Sequence, residues 1–208
     1  MISFNYFKVA VLSLLLFLSS NLYANSFVLS DDALIDKRAI TKIQEIGEES
    51  KSKLGVNIYV YAKQSLGLPD KTPTKDKIKY IKKYEGDIAS SLTKPYVLLT
   101  MAVEDTHVNL IVSSSLKEVV DKNEILNDYV IPLLASKDKN STFAKASAAI
   151  LNGYAAIADT IADSKDIELQ SSIGNSGKVA GTIWRVLMYT LIVVGLLLYT
   201  FAVLRRKK

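Results

Sequence analysis

The sequence of 208 residues predicts an α/β fold, namely a three-layer sandwich with a small mixed β-sheet, plus one C-terminal transmembrane helix. Three observations predict it. Segments of helical and of strand-like periodicity alternate in the order α-β-α-β-β-α-α, which is typical of helices packed on a sheet. One strand-like segment is almost continuously apolar, as a strand covered on both faces would be. An uncharged run of 19 residues, 186–204, stands just before the C-terminus.

The first element in chain order is a signal peptide, residues 1–24. Lys8 precedes an apolar run at residues 9–19, and Ala24 offers a small residue for cleavage. This layout is typical of secretory signals, and eleven apolar residues are too few to span a bilayer comfortably. An uncleaved N-terminal anchor is the alternative.

The domain follows, at residues 25–166, and opens with a helix. Ser30, Asp31 and Asp32 suit a helix N-terminus, and apolar residues recur after them at helical spacing. We expect this helix to end at Gly55 and a strand to follow at residues 56–61. A loop with two prolines then leads to a second helix at residues 74–92.

The second half of the domain begins with the apolar strand at residues 96–103. Polar turn residues and an alternating segment at 108–112 predict a hairpin with it. A helix is expected at residues 123–134, interrupted by Pro132. An Ala-rich helix at residues 142–162 is expected to pack closely on the sheet.

The chain ends with a linker and an anchor. Residues 167–178 are rich in Ser, Gly and Asn and predict a flexible tether. A helix of 19 residues is about 28 Å long, which matches the hydrocarbon core. We therefore expect a transmembrane helix at 179–204 and a cytoplasmic basic tail at 205–208. The predicted location is the cytoplasmic membrane, single-pass type I, with the domain in the periplasm.

Composition excludes several kinds of site. There is no Cys and only one His, His107, so disulfides, thiolate metal sites and His-rich metal cages are excluded. The net charge is +5, but residues 25–178 carry 20 basic residues against all 21 acids. The basic excess thus belongs to the apolar ends, which argues against a nucleic-acid partner.

Three segments together resemble the TPM domain family. They are LSDDALIDKRAITKIQEIGEESKSKLGVNIYVYA, YVLLTMAVEDTHVNLIVSSSLKEVV, and the IPLL helix with the amphipathic helix after it. Members of that family include a thylakoid-lumen protein of photosystem repair with weak acid-phosphatase activity, an accessory subunit of an acetylcholine receptor, and exported bacterial proteins with C-terminal membrane helices. The resemblance implies an α/β domain but no single activity.

Loop carboxylates form the candidate metal site. Oxygen ligands of this kind suit Ca²⁺, an idea that the resemblance favours. The residues are Asp31, Asp32, Glu104 and Asp105. Helix capping and turn formation are the alternative roles, and a metal-dependent phosphate-ester hydrolase using Asp31, Asp32 and Asp105 is the enzymatic hypothesis. No cofactor is certain. The acids Asp121, Glu124 and Asp128 are expected to be solvated.

Two further candidates concern anions and protons. Ser113, Ser114 and Ser115 precede a predicted helical segment and could present N–H groups and hydroxyls to an anion such as phosphate. Helix capping explains the same serines. His107 could act as a general base, or could be a surface residue without a partner.

A lysine-rich helix face is the candidate partner-binding surface. It comprises Lys75, Lys79, Lys82 and Lys83, while Ile78 and Ile81 are expected to face the sheet. Such a face could meet an acidic partner or anionic lipid. The favoured function is an accessory or interaction module for a membrane-protein complex. A structural Ca²⁺-binding module and a weak phosphatase remain alternatives.

Overall fold

The computed structural model of the protein describes residues 26–69 and 72–174, together with Thr190. Its centre is a four-stranded sheet in the order β1-β2-β3-β4. The strands are β1 Val28–Ser30, β2 Asn57–Lys63, β3 Tyr96–Ala102 and β4 His107–Val112. β1, β2 and β3 are parallel, and β4 is antiparallel to β3. The predicted α/β class, mixed sheet and hairpin are confirmed.

Helices connect and cover these strands. They are α1 Lys37–Glu49, α2 Thr74–Ser90, α3 Lys122–Glu124, α4 Ile131–Leu134 and α5 Thr142–Ser164. α1 continues into a π-helical turn at Ser50–Leu54 and ends at Gly55, whose φ of 68° is left-handed as predicted. A second π-helical segment, Ile125–Val130, joins α3 to α4.

Helices lie on both faces of the sheet. Leu99 of β3 packs against Gly153 of α5, whereas Thr100, its neighbour in β3, is hydrogen-bonded to Glu85 of α2. Because successive strand residues point to opposite faces, α5 and α2 lie on opposite faces. α1 packs beside α5.

Much of the core lies beneath α5, which has twelve buried residues. Tyr154, Ile157 and Ile161 are fully buried, and the Tyr154 hydroxyl donates to the carbonyl of Ile58 in β2 at 2.8 Å. This bond satisfies a buried phenol and ties α5 to the central strands.

The start of the domain differs from the prediction. α1 begins at Lys37, with Asp36 as its cap, because the Asp36 carboxylate accepts the Arg38 N–H at 2.9 Å. Asp32 and Ala33 have φ values of 42° and 58° and form a turn instead of a helical turn. The strand β1 precedes this turn and was not predicted, since three residues are too few to show a period of two.

The expected linker also differs in the part that the structure describes. Residues 167–174, here called the strap, pack against α1. Leu169 is fully buried, and Glu49 of α1 accepts hydrogen bonds from the N–H groups of Gln170 and Ser171 at 2.9 and 2.7 Å. A low content of apolar residues suggested flexibility, but one buried leucine and one carboxylate hold this segment.

Among the residues that the structure describes, none belongs to a helix long and apolar enough to cross a membrane. The predicted signal peptide and basic tail lie outside the described residues, as does the predicted membrane span except for Thr190. These features therefore stay predictions.

Candidate functional site

The four predicted lysines share one exposed side of α2, here called the lysine face. Lys75, Lys79 and Lys83 follow one another at intervals of four residues, and Lys82 is three residues from Lys79. Residues at these intervals are neighbours on a helix surface. All four side chains are exposed, and none forms an ion pair within the described part of the chain.

Two apolar side chains border the lysine face. Ile78 is 50% exposed and Tyr80 is 43% exposed. With about 100° between successive helical residues, the lysines fill one sector, and Ile78 and Tyr80 lie towards its two sides. The Tyr80 ring is held by stacking on Tyr84, with centroids 6.0 Å apart. The face is thus cationic in the middle and apolar at its borders.

The exposure of Ile78 corrects one expectation. Ile81 is buried as expected, but Ile78 does not face the sheet. The reason is the position of the first turns of α2. Lys77 donates to the carbonyl of Asp105 at 2.8 Å, and Asp105 lies in the turn after β3. The turn of α2 that contains Ile78 therefore lies beside the end of the sheet, where none of the described strands covers the Ile78 side chain.

A buried carboxylate lies on the side of α2 that faces the sheet. Glu85 is only 5% exposed. Its Oε1 accepts from the Thr100 hydroxyl at 2.5 Å and lies 2.7 Å from His107 Nε2, and its Oε2 accepts from the Asn109 amide at 2.6 Å. Three side chains from β3 and β4 therefore hold this one helix residue.

These contacts decide the ionisation of Glu85. Burial opposes the charged form, but the hydrogen bonds from His107, Thr100 and Asn109 together outweigh it. They hold the pKa of Glu85 below its ordinary value of 4.5. The carboxylate is thus charged at neutral pH and attaches α2 to the sheet.

Sequence reasoning missed Glu85 and the partner of His107. A signal was present, because Glu85 stands four residues after Ile81 and four before Ala89, both buried. An acid at an apolar position of an amphipathic helix requires a buried partner. The sequence does not give the register that places His107 opposite it. His107 is partly buried and bonded to Glu85, so the alternative of a surface residue without a partner is wrong.

The predicted metal-binding acids lie after β1 and β3, and two of them bind lysines. Asp32 lies 2.8 Å from Lys63 and accepts the Gln64 N–H at 3.2 Å. The hydrogen bond from Lys63 is the main cause that lowers the pKa of Asp32. Asp105 accepts the Leu66 N–H at 2.8 Å. Both carboxylates thus position the loop that follows β2.

The other two acids make fewer contacts. Asp31 Oδ1 accepts the Ala33 N–H at 3.4 Å, and Glu104 is exposed. Within residues 26–69 and 72–174, no three His, Asp or Glu side chains are grouped so that they could hold a metal ion. The Ca²⁺ site stays a prediction.

The three serines have different environments. Ser113 is buried, and its hydroxyl accepts the Tyr96 N–H at 3.1 Å. Ser114 and Ser115 are exposed and belong to a three-residue 3-10 turn, Ser114–Leu116, whereas they were expected to precede a helical segment. Such a turn aligns few N–H groups, so it gives the predicted anion site little support from a helix dipole.

The predicted solvated acids agree with the structure, since all three are exposed. Glu124 and Asp128 are exposed, and Asp121 caps α3 by accepting the Asn123 N–H at 2.7 Å. Capping gives Asp121 a structural role without any ligand.

Comparison with solved structures shows the fold. The solution NMR structure of the N-terminal domain of a protein from P. gingivalis superposes with a TM-score of 0.53 at 16% identity. The match covers 71% of this chain and 88% of that one. No known protein-family profile matches the chain, and no curated protein does. The similarity at this identity concerns the fold alone.

Proposed function

We propose that this protein is a membrane-anchored, extracytoplasmic TPM-like domain that acts as an accessory module of a membrane-protein complex. It docks the lysine face of α2 on an acidic surface of that complex. The observation that carries the proposal is the lysine face itself, whose four exposed ammonium groups have no ion-pair partner among the described residues.

The borders of the lysine face favour a protein partner. Exposed aromatic and aliphatic side chains are the usual anchors of protein interfaces, whereas surrounding charges steer the encounter and select the partner. Tyr80 is held by Tyr84, so little side-chain freedom remains to be lost on binding. Ile78 projects with half of its surface in water. We expect the partner to carry carboxylates around a small apolar patch.

The path of the chain also favours a protein over the lipid surface. Gly174 lies against Asp159 of α5, so the described chain ends in the helix layer opposite α2. Residues 175–185 lie between it and the uncharged run, and eleven residues span at most about 40 Å. An anchor in that run therefore attaches the domain to the bilayer through its α1 and α5 layer, the layer opposite α2. The short tether also raises the effective concentration of the domain near neighbouring membrane proteins.

Co-purification from solubilised membranes tests the docking face. One full-length variant carries Glu at Lys75, Lys79, Lys82 and Lys83. The matched control carries Glu at four other exposed lysines, Lys37, Lys51, Lys137 and Lys139. Quantitative mass spectrometry is expected to show loss of one or a few membrane proteins with the first variant only. Equal partner lists for the two variants would overturn the proposal.

The proposed topology has its own test. Protease added to spheroplasts is expected to digest the domain, and an alkaline carbonate wash is expected to leave the chain in the membrane fraction. A protected domain or a released chain would contradict the anchor without bearing on the charge of the lysine face.

A further inference from the structure

The strand β4 forms an open edge of the sheet. It is last in the strand order, and nowhere in the described ranges does a strand pair with its outer side. The other edge strand, β1, has three residues and an irregular register with β2. β4 has six residues in unbroken register with β3. Lysines, prolines and bulges usually protect an edge strand, and β4 has none of them.

One hydrogen bond shows which backbone groups of β4 point outward. Ser113, the residue after β4, donates its N–H to the Tyr96 carbonyl at 3.0 Å. Hydrogen-bonded pairs alternate along an antiparallel ladder. The residues of β4 that bond to β3 are therefore His107, Asn109 and Ile111. The residues that direct their N–H and carbonyl groups outward are Val108, Leu110 and Val112.

One of the outward donors is already occupied. The Leu110 N–H donates to the Asn109 side-chain oxygen at 2.9 Å, while the Asn109 amide nitrogen is held by Glu85. The outward N–H groups of Val108 and Val112 have no such partner in the described part of the protein. These two donors, and the outward carbonyls, are available to an added strand.

A cleft of about 660 Å³ lies beside this edge. Two apolar residues of β4, Leu110 and Val112, form one wall. The other wall comprises residues 117–122 and Glu124, with three carboxylates against two lysines. The cleft therefore offers room for apolar side chains beside a wall of net negative charge.

We propose that β4 and this cleft bind an extended segment of another protein, which adds to the sheet as a fifth strand. Backbone hydrogen bonds to Val108 and Val112 give affinity, and alternate apolar side chains of the segment enter the cleft. A Lys or Arg of the segment meets the acidic wall. A second copy of this chain fits less well, because two acidic walls would face each other. The proposal does not depend on the lysine face.

Residue-resolved hydrogen exchange on the full-length chain in detergent micelles tests this proposal. The probe is the synthetic peptide Lys-Thr-Val-Thr-Val-Thr-Val-Lys, and the control peptide has Pro in place of the central Val. Without peptide, the amides of Val108 and Val112 exchange fast, and those of Asn109 and Ile111 are protected. With saturating probe, exchange at Val108 and Val112 slows by about tenfold or more. The control peptide has no such effect.

A pair of variants at one position sharpens the result. Val108→Pro removes the outward donor and leaves the hydrogen bonds to β3 their donors, although it also restricts the backbone at positions 107 and 108. Val108→Thr keeps the donor and the branched side chain. The Pro variant is expected to lose probe binding, and the Thr variant to keep it. The exchange measurement on the natural sequence decides the matter if the Pro variant does not fold.

Three results would overturn the proposal. Protected Val108 and Val112 amides in the free, dilute chain would mean that the edge is covered by the chain itself. Unchanged exchange at saturating probe would mean that no strand is added. Slowing that follows protein concentration alone, and is lost in Val108→Pro, would assign the edge to a second copy.

Discussion

Glu85 shows at the scale of one residue how a charge is kept inside a helix–sheet contact. A buried carboxylate costs several kcal/mol unless its oxygens are hydrogen-bonded, and removing its partners leaves that cost uncompensated. Thr100, His107 and Asn109 supply three donors to its two oxygens. Loss of Glu85 or of any of its three donors is therefore expected to lower the stability of the fold.

Glu85→Ala is expected to lower the free energy of unfolding by about 3 kcal/mol, because the buried Thr100 hydroxyl and the partly buried His107 and Asn109 side chains lose their acceptor. Glu85→Gln keeps the shape and loses the charge, so we expect a smaller loss of about 1–2 kcal/mol. Asp87→Ala on the exposed side of the same helix is the matched control, with a change within about 0.5 kcal/mol. Thermal melts of the full-length chain measure all three. Equal effects of Glu85→Ala and Asp87→Ala would refute a structural role for the buried carboxylate.

Glu49 gives the stability of the fold a dependence on pH. Burial opposes its ionisation, yet the Lys53 ammonium, the Ser171 hydroxyl and the Gln170 and Ser171 N–H groups lower its pKa from 4.5 to about 2. A carboxyl with a lowered pKa stabilises the fold above its unfolded pKa and loses that effect as pH falls through its folded pKa. The contribution of Glu49 is therefore complete above about pH 5 and lost towards pH 2.

Glu49→Gln is expected to lower the Tm at pH 7 and to reduce the dependence of Tm on pH between 4.5 and 2, so that variant and natural chain converge near pH 2. Glu48→Gln, an exposed neighbour on α1, is expected to follow the natural chain throughout. Parallel pH curves for the natural chain and Glu49→Gln would show that the strap is held by other contacts.

At the scale of elements, α2 and α5 are attached to the sheet in different ways. α5 buries a series of alanines and isoleucines against β2 and β3, so its contact is mainly hydrophobic. α2 has only three buried residues, Ile81, Glu85 and Ala89, and it is joined to the sheet by side-chain hydrogen bonds. Because apolar burial is the larger stabilising term, α2 is expected to open more easily than α5.

A glycine in the middle of α2 offers a clean test of helix stability. Gly86 is exposed, and nothing lies within 4 Å of an added Cβ. Gly86→Ala is therefore expected to raise the free energy of unfolding by about 0.5–1 kcal/mol. Gly47→Ala is the same chemical change in α1, but its Cβ would collide with Phe27 and the Tyr154 hydroxyl. Gly47→Ala is therefore expected to lower the Tm in the same thermal melts. A lower Tm for Gly86→Ala would contradict the prediction and would mean that the face of α2 around Gly86 is covered.

Sequence periodicity predicted most of the helices and strands, but it predicted the first and last residues of these elements less well. The apolar run of β3, the Ala-rich α5 and the glycine at the end of α1 have strong local causes, and the structure confirms them. β1 and the strap were missed because each depends on distant contacts. Leu169 is one leucine in a polar segment, and only the position of α1 makes it a core residue.

At the scale of the whole molecule, the candidate sites were predictable to different degrees. The lysine face follows from spacing along one helix, which the sequence contains. The contact between Glu85 and His107 depends on how α2 crosses the sheet and on the register of β3 with β4. Asp32 and Asp105 looked like free loop acids, because the sequence does not show that Lys63 and Lys77 reach them.

Combined with the proposed membrane anchor, the layer order gives a prediction about the orientation of the domain on the membrane. The described chain ends beside α5, and the lysine face is on the opposite helix layer, so the sheet and two interlayer spacings separate them. Neighbouring layers pack about 10 Å apart, which puts the two surfaces about 20 Å or more from each other.

The chain has no Cys, so single cysteines can be introduced for labelling. Ile173→Cys and Lys79→Cys are both at exposed positions. With nitroxide labels and full-length protein in nanodiscs, a paramagnetic ion bound to the lipid headgroups is expected to relax the label at position 173 more strongly than the label at 79. Equal relaxation, or stronger relaxation at 79, would place the lysine face on the bilayer and favour lipid as its partner.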